Sequence, residues 1–265
     1  MGDVTLAVHQ PNYLPWLGYF HKMSRADIFV FLDTVQFARR GYTHRVHVLG
    51  PGRTQLWLTQ HVRKRAVEEQ VIHDLAFSDR CWIDRHLKTF EASYGKAPHF
   101  DSVFEFLEDR LRAGAEPLSR LNGRLILDLA ARLGIAPRVL YASELPPVPV
   151  SSPSERIAHI CDHFGARRYL SGSGARAYND VHVFGAHGIE LVYNDFKSMS
   201  YPQRNLPDGQ DFVAGLSIVD ALFNIGFDGV AGLLRPEEGQ RPPARTIPNT
   251  VQSRPNGKAG LQPSF

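Results

Sequence analysis

Residues 4–33 read VTLAVHQPNYLPWLGYFHKMSRADIFVFLD. Within this stretch, residues 4–8 and 27–33 are short, almost continuously apolar runs of the kind that form buried strands. Between them, residues 16–25 place large apolar side chains at helical spacing. A strand, a helix and a second strand form a βαβ unit, and continuously apolar strands are typical of a parallel sheet that is covered on both faces.

The same alternation returns later in the chain. Residues 138–141, 168–170 and 189–193 are predicted strands, separated by helices near 152–164 and 181–186. The intervening sequence predicts a hairpin around the turn Gly50-Pro51-Gly52-Arg53, followed by two or three amphipathic helices up to residue 133. The predicted fold is therefore an α/β domain over residues 1–235. It has a mostly parallel, Rossmann-like sheet with helices on both faces and a helical and hairpin insertion at about 44–133.

Residues 152–155 (SPSE) carry a helix-start pattern. Ser152 is the expected N-cap, Pro153 suits the first helical position, and Glu155 completes a capping box.

The two cysteines lie in amphipathic stretches, which predicts that both Cys81 and Cys161 are buried and reduced. Together with the lack of a signal-peptide pattern or a long apolar run, this favours a cytoplasmic protein without a membrane span. Residues 236–265 are rich in Pro, Gly, Arg, Asn and Ser and are predicted to be a disordered tail.

The formal net charge is only +3, which argues against a dedicated DNA-binding protein. The basic run Arg63-Lys64-Arg65 is followed by Glu68 and Glu69, so we interpret it as a solvated loop or helix end.

Polar residues follow the predicted strands, and ligands of parallel α/β sheets bind at the carboxyl ends of strands. His9 is the strongest candidate for a catalytic residue, because histidine serves as a general acid or base near neutral pH. Asp33 follows the next strand, and a His9–Asp33 pair would set the tautomer of the imidazole. These two are the candidate catalytic residues. The candidate substrate-binding residues are Gln10, Asn12, Tyr13, Trp16, Tyr19, Gln36, Arg45, Ser171, Gly172, Ser173, Gly174, Arg176, Asn194 and Gln203.

Two other patterns are weaker. Residues 171–176 (SGSGAR) form a glycine-rich turn that either binds an anion through backbone amides or is simply a tight turn. They match neither a Walker loop nor a complete dinucleotide fingerprint. His44 and His47 lie three apart on a predicted strand and so face opposite sides, which leads us to predict no metal site.

Several segments together resemble the WbqC-like protein family. The longest is HQPNYLPWLGYFHKM at residues 9–23, and shorter matches occur in the same order along residues 5–228: DIFVFLDTVQF (27–37), YGKAP (94–98), YLSG (169–172), YPQ (201–203) and LSIVDALFNIG (216–226). The chain departs from the family pattern in two places. It has His44-Arg45 where the family tends to have Asn-Arg, and it differs in the loop after Ser171.

The resemblance implies a transferase of O-antigen-like or natural-product biosynthesis. Such an enzyme would move an aminoacyl (glycyl) or acyl group onto a sugar or amine, with aminoacyl-tRNA or an acyl thioester as donor and no resident cofactor. Two alternatives stay open. One is a nucleotide-dependent enzyme, which either transfers a nucleotidyl group or uses ATP. The other is a non-catalytic scaffold that binds a small molecule within a biosynthetic complex.

Overall fold

The computed structural model describes residues 3–63, 70–114 and 116–235. Its strands are β1 (Thr5–His9), β2 (Ile28–Phe31), β3 (Arg45–Leu49), β4 (Gln55–Thr59), β5 (Arg138–Tyr141), β6 (Arg168–Gly172) and β7 (Glu190–Asn194). Its helices are α1 (Leu17–Ser24), α2 (Cys81–Tyr94), α3 (Phe100–Arg112), α4 (Leu118–Arg132), α5 (Pro153–His163), α6 (Val181–Ala186) and α7 (Ile218–Leu233). The predicted disordered tail at 236–265 and most of the basic run lie outside the described residues.

Five strands form one parallel sheet in the order β5-β2-β1-β6-β7. The first strand of the chain, β1, is the central strand of this sheet. Strands β2 and β5 lie on one side of it, and β6 and β7 lie on the other. The α/β prediction is confirmed, and the order is that of a Rossmann-type half with its switch point between β1 and β6. Strands β3 and β4 form a separate antiparallel hairpin between β2 and β5 in the chain, followed by α2, α3 and α4.

Alternate residues of the central strand enter two different cores. Leu6 and Val8 pack on one face with Ile157 and Cys161 of α5. Ala7 packs on the other face in a larger core that includes residues of α1–α4 and α7. Both faces are covered, which explains why the strands lack the polar alternation of a half-exposed sheet.

The start of α5 follows the sequence prediction with one change. The Oγ of Ser152 accepts the backbone N–H of Glu155 at 3.1 Å, and Pro153 is the first helical residue. The Glu155 carboxylate, however, accepts from the backbone and hydroxyl of Ser151 instead of returning to the N-cap residue itself.

We expect Ser152→Ala to lower the free energy of unfolding by about 1 kcal/mol, because it leaves an end-of-helix N–H without its acceptor. Urea unfolding followed by circular dichroism measures this loss. Ser152→Thr keeps an acceptor and should lose less; equal losses for the two variants would contradict the capping role.

Two features differ from the sequence predictions. Cys81 is exposed, because it opens α2 on the solvent side while its neighbour Trp82 enters the core; only Cys161 is buried. Residues 218–233, for which the sequence patterns predicted no helix, form α7, with a kink at Gly226. Gly226 has φ +70°, and an added Cβ would lie 2.7 Å from the Nδ1 atom of His99, so glycine is required on both counts.

Candidate functional site

The strand registers place His9 in the centre of a row across the carboxyl edge of the sheet. His9 pairs with Phe31 of β2, and Phe31 pairs with Tyr141 of β5. On the other side, Leu170 pairs with Ala7, so Gly172 lies at the level of His9, next to Asn194 of β7. His9 and Gly172 therefore flank the switch point, where open parallel sheets bind their ligands.

A cavity of about 330 Å³ opens beside His9. Four predicted site residues line it together, namely His9, Asn12, Tyr13 and Trp16. The other lining residues were not predicted and come from distant segments: Tyr42, Val46 and Gly215, with Pro15 from the same loop. Trp16 and Tyr42 are 37% and 53% exposed, which gives the opening an aromatic rim suited to a sugar ring or another flat ligand. We call this space the His9 cavity.

The loop that forms one wall, residues 9–16, is fixed from several directions. Asn122 of α4 donates to the carbonyl of Pro11, Tyr13 N–H donates to the carbonyl of Tyr42, and Ser217 Oγ donates to the carbonyl of Leu14. Leu14 has φ +39°, an unfavourable backbone conformation for a bulky residue. Such strain persists only where the surroundings over-determine the loop, and it is concentrated at functional sites.

The position of the His9 ring follows from its contacts. Its Nδ1 lies 3.2 Å from the carbonyl oxygen of Gln10, which only accepts, so Nδ1 carries the proton and Nε2 keeps its lone pair. The ring packs on Tyr19 at 4.6 Å between centroids, and the Tyr19 hydroxyl donates to the same Gln10 carbonyl. Burial, with the nearby charge of Lys22, lowers the pKa of His9 to about 3, so the imidazole is neutral at physiological pH.

Asn12 has unused hydrogen-bonding capacity on the cavity wall. Among the residues that the structure describes, its Oδ1 has no hydrogen-bond partner although it is buried. Buried polar groups are normally paired, so an unpaired carboxamide beside a cavity is a candidate ligand contact. Its neighbour Gln10 differs, because the Gln10 Oε1 accepts from the Thr43 hydroxyl at 2.8 Å and thereby ties the loop to the segment before β3.

Lys22 is a residue that the sequence analysis did not select. It lies on α1, only 3% exposed, and its Nζ donates to the carbonyl of Val8 at 2.8 Å. Burial lowers the pKa of Lys22 to about 7. None of the described carboxylates forms an ion pair with it. The sequence indicates the burial of Lys22 only through its position among the large apolar residues Phe20 and Met23 of the predicted helix.

The predicted His9–Asp33 pair is wrong. Asp33 is fully buried, and its two carboxylate oxygens accept from the backbone N–H and the hydroxyl of Ser143, at 2.9 and 2.7 Å. The strands do lie side by side, but Asp33 is two residues past Phe31, the register partner of His9, and it ties β2 to the loop after β5. The group that orients His9 is the Gln10 carbonyl.

Several other predicted ligand groups are engaged in structural contacts. Asn194 accepts from His21 and Arg25 and donates to the carbonyl of Gly18, which holds α1 against β7. The Nη2 atom of Arg176 donates to both carboxylate oxygens of Asp195, at 2.8 and 2.9 Å. These side chains do not line the His9 cavity.

Two more of the predicted residues belong to hydrogen-bond networks. Gln203 donates to Asp220, a fully buried carboxylate that also accepts from the hydroxyls of Tyr94 and Tyr201. Ser171, also fully buried, accepts from the Asn179 amide. Amide and hydroxyl side chains thus have the same sequence signature whether they bind a ligand or another part of the chain.

The glycine-rich turn continues β6 as a short 3-10 helix, Ser173–Ala175, with Gly172 as its preceding residue. The turn lies at the switch point but does not open an α-helix, so it lacks the helix N-terminus of a typical phosphate loop.

Gln36 and Arg45 belong to other surfaces. Gln36 is exposed and its backbone bridges to Val71. The guanidinium of Arg45 lies 4.0 Å from the ring of Trp57 and donates to the carbonyl of Arg40. The ring of Trp57 is 40% exposed and lies 5.6 Å from the ring of Tyr42, measured between centroids. It thereby extends the aromatic surface beyond the rim of the His9 cavity, which the sequence did not predict.

In the described part of the chain, no cluster of three or more His, Cys, Asp or Glu side chains is arranged to hold a metal ion. The same residues include no helix that is long and apolar enough to cross a membrane.

Comparisons with known proteins agree with the motifs. The sequence model of the WbqC-like protein family matches residues 10–231. An uncharacterized protein from Mycobacterium tuberculosis is 30% identical over 224 residues, which is 83% of this chain and 94% of that protein. No solved structure matches the chain.

Proposed function

The chain belongs to the WbqC-like protein family, and from the cavity that it carries we propose a transferase that moves an aminoacyl (glycyl) or acyl group onto an amine or hydroxyl. The acceptor is a sugar or another small molecule in the His9 cavity. One observation carries the proposal: the unpaired Oδ1 of Asn12 and the neutral imidazole of His9 line the same aromatic-rimmed cavity at the carboxyl end of β1.

The chemistry follows from the tautomer of His9. Nδ1 is occupied by the Gln10 carbonyl, so Nε2 is the position that accepts a proton. The acceptor nitrogen or oxygen forms a bond to the donor carbonyl carbon while the bond from that carbon to the leaving group breaks. The acceptor proton passes to Nε2 and then to the departing oxygen or sulfur. Asn12 orients the reacting group, and the Trp16 and Tyr42 rings hold the body of the acceptor.

The alternatives make different predictions for the same cavity. A nucleotide-dependent enzyme would bind ATP there, yet the loop after β1 contains Pro11 and Pro15, which offer no backbone N–H to a phosphate. A scaffold protein would bind a ligand without any transfer. We favour transfer because a neutral, oriented imidazole beside unused hydrogen-bonding capacity supports proton transfer as well as binding.

We expect Asn12→Ala to leave the thermal stability of the free protein unchanged or slightly higher, because it removes a buried group that has no partner. The same variant should lose the ligand-induced stabilisation. Thermal unfolding of the full chain against acyl-CoA, aminoacyl-tRNA, UDP-sugars and ATP measures both effects. A ligand at 100 times its Kd adds about 2.7 kcal/mol, which is a shift of several degrees.

The control is His182→Ala, which truncates an exposed histidine on α6. His9→Ala should abolish transfer from the donor found in this way, whereas His182→Ala should retain it. Stabilisation by ATP alone would instead support nucleotide-dependent chemistry. Stabilisation by an acyl or aminoacyl donor that Asn12→Ala and His9→Ala leave intact would place the site elsewhere and defeat the proposal.

A further inference from the structure

A second cavity, of about 410 Å³, lies at the same carboxyl edge but beside β2 and the outer strand β5. It is formed by the loops that follow β2 and β5 and by α5, whereas the His9 cavity is formed by the loop after β1. Its lining includes Thr34, the residue after Asp33, and Ser143, which donates to the Asp33 carboxylate. The two cavities have no lining residue in common, so this one is a separate site.

One face of α5 supplies most of its nitrogen donors. Arg156, His159 and His163 lie three and four residues apart, the spacing that puts side chains on one face of a helix, and all three line the cavity. A further histidine, His73, approaches from the opposite segment. We call this space the Arg156 cavity.

The hydrogen-bonding capacity of these side chains is largely unused. In residues 3–63, 70–114 and 116–235, the guanidinium of Arg156 forms no ion pair, and the rings of His159 and His163 donate no hydrogen bond to the protein. All three are partly buried rather than fully solvated. Donors that converge on a concave space without acceptors of their own are suited to an anion.

The acidic groups nearby are already engaged. Asp33 accepts twice from Ser143, and the Glu155 carboxylate accepts from Ser151. Asp74 lies 3.3 Å from His73 and neutralises that side of the cavity when His73 is protonated. On the face formed by α5, the charge of Glu155 acts on His159. Arg156 and His163 are the donors of this face that have no ion-pair partner among the described residues.

We propose that the Arg156 cavity binds the phosphate group of a small phosphorylated molecule. Along one face of α5, a guanidinium fork and two imidazoles offer several donors, which suits the three oxygens of a tetrahedral phosphate better than the two oxygens of a carboxylate. The segment before α5 supplies an apolar wall, with Leu145, Pro146, Pro147 and Val148, and it covers the organic part of the ligand. The site is independent of the transfer proposed at His9.

The test is isothermal titration of the full chain with four probes: inorganic phosphate, glucose 1-phosphate, uridine monophosphate and acetate. We expect an organic phosphate to bind more tightly than inorganic phosphate, and acetate to bind least. Arg156→Gln should weaken binding of the organic phosphate at least tenfold. His163→Gln should weaken it less and serves as the second variant should Arg156→Gln not fold.

The matched control is Arg53→Gln, the same chemical change at an exposed arginine that pairs with Asp208. It should leave the affinity unchanged. His9→Ala should also leave it unchanged, which separates this site from the His9 cavity. The proposal is overturned if no phosphorylated probe binds, if acetate binds as tightly as the phosphates, or if the folded α5 variants retain the original affinity.

Discussion

Lys22→Met should raise the free energy of unfolding at pH 6 by about 2–4 kcal/mol. A fall of the Lys22 pKa from 10.5 to about 7 corresponds to a destabilisation of roughly 5 kcal/mol while the buried amine is charged. Methionine fills nearly the same volume without a charge, and the loss of the hydrogen bond to the Val8 carbonyl offsets about 1–3 kcal/mol of the gain.

The pH dependence supplies a second, independent signature. Between about pH 7 and 10.5 the unfolded chain binds a proton at Lys22 that the folded protein does not bind, so this residue makes stability rise with pH across that window. Urea unfolding at several pH values should show this rise in the parent protein, and Lys22→Met should flatten it. The exposed Lys88→Met is the matched control and should change stability by about 0.5 kcal/mol or less. Identical pH profiles for the parent and Lys22→Met would refute this account.

Asn122→Ala should lower the free energy of unfolding by about 3–5 kcal/mol. The Asn122 amide is fully buried, donates to the carbonyls of Pro11 and Thr43, and accepts from the Gln60 amide. Truncation leaves three buried groups without their partner and opens a small void. Urea denaturation of the parent and the variant at 25 °C measures the loss.

Gln60→Ala tests whether these residues act as a network. Combined with Asn122→Ala, it should cost less than the sum of the two single changes, because both single changes break the same bond. Asn122→Ala should also weaken ligand binding in the His9 cavity, since Pro11 is part of the loop that carries Asn12. A folded Asn122→Ala protein with unchanged stability would contradict the view that α4 fixes this loop.

The fold was predictable from local patterns. Continuous apolar strands and helical spacing indicated a parallel sheet covered on both faces, and the βαβ unit at residues 4–33 placed His9 at the carboxyl end of its first strand. The kinked α7 was missed as a helix because a glycine with positive φ interrupts its second half.

The site was predictable only where it is local. His9, Asn12, Tyr13 and Trp16 belong to one short loop, so their meeting in one cavity required no knowledge of packing. Tyr42 and Gly215 reach the cavity through contacts between distant segments, which no periodicity encodes. Asp33 was misassigned because a carboxylate after a strand can equally face the ligand or, as here, a neighbouring loop.

The way in which the loop after β1 is held has a consequence for how this family member acquires new specificity. Its main chain is fixed by Asn122 and Ser217 from outside the cavity, while the Oδ1 of Asn12 lies on the cavity wall without a partner among the described residues. The Trp16 ring also lines the cavity and packs against Phe196 on its other side. Under the proposed function, selectivity depends on side chains that can be exchanged one at a time. Directed evolution confined to Asn12, Trp16 and Tyr42 should therefore alter which acceptor is chosen while the scaffold tolerates the library.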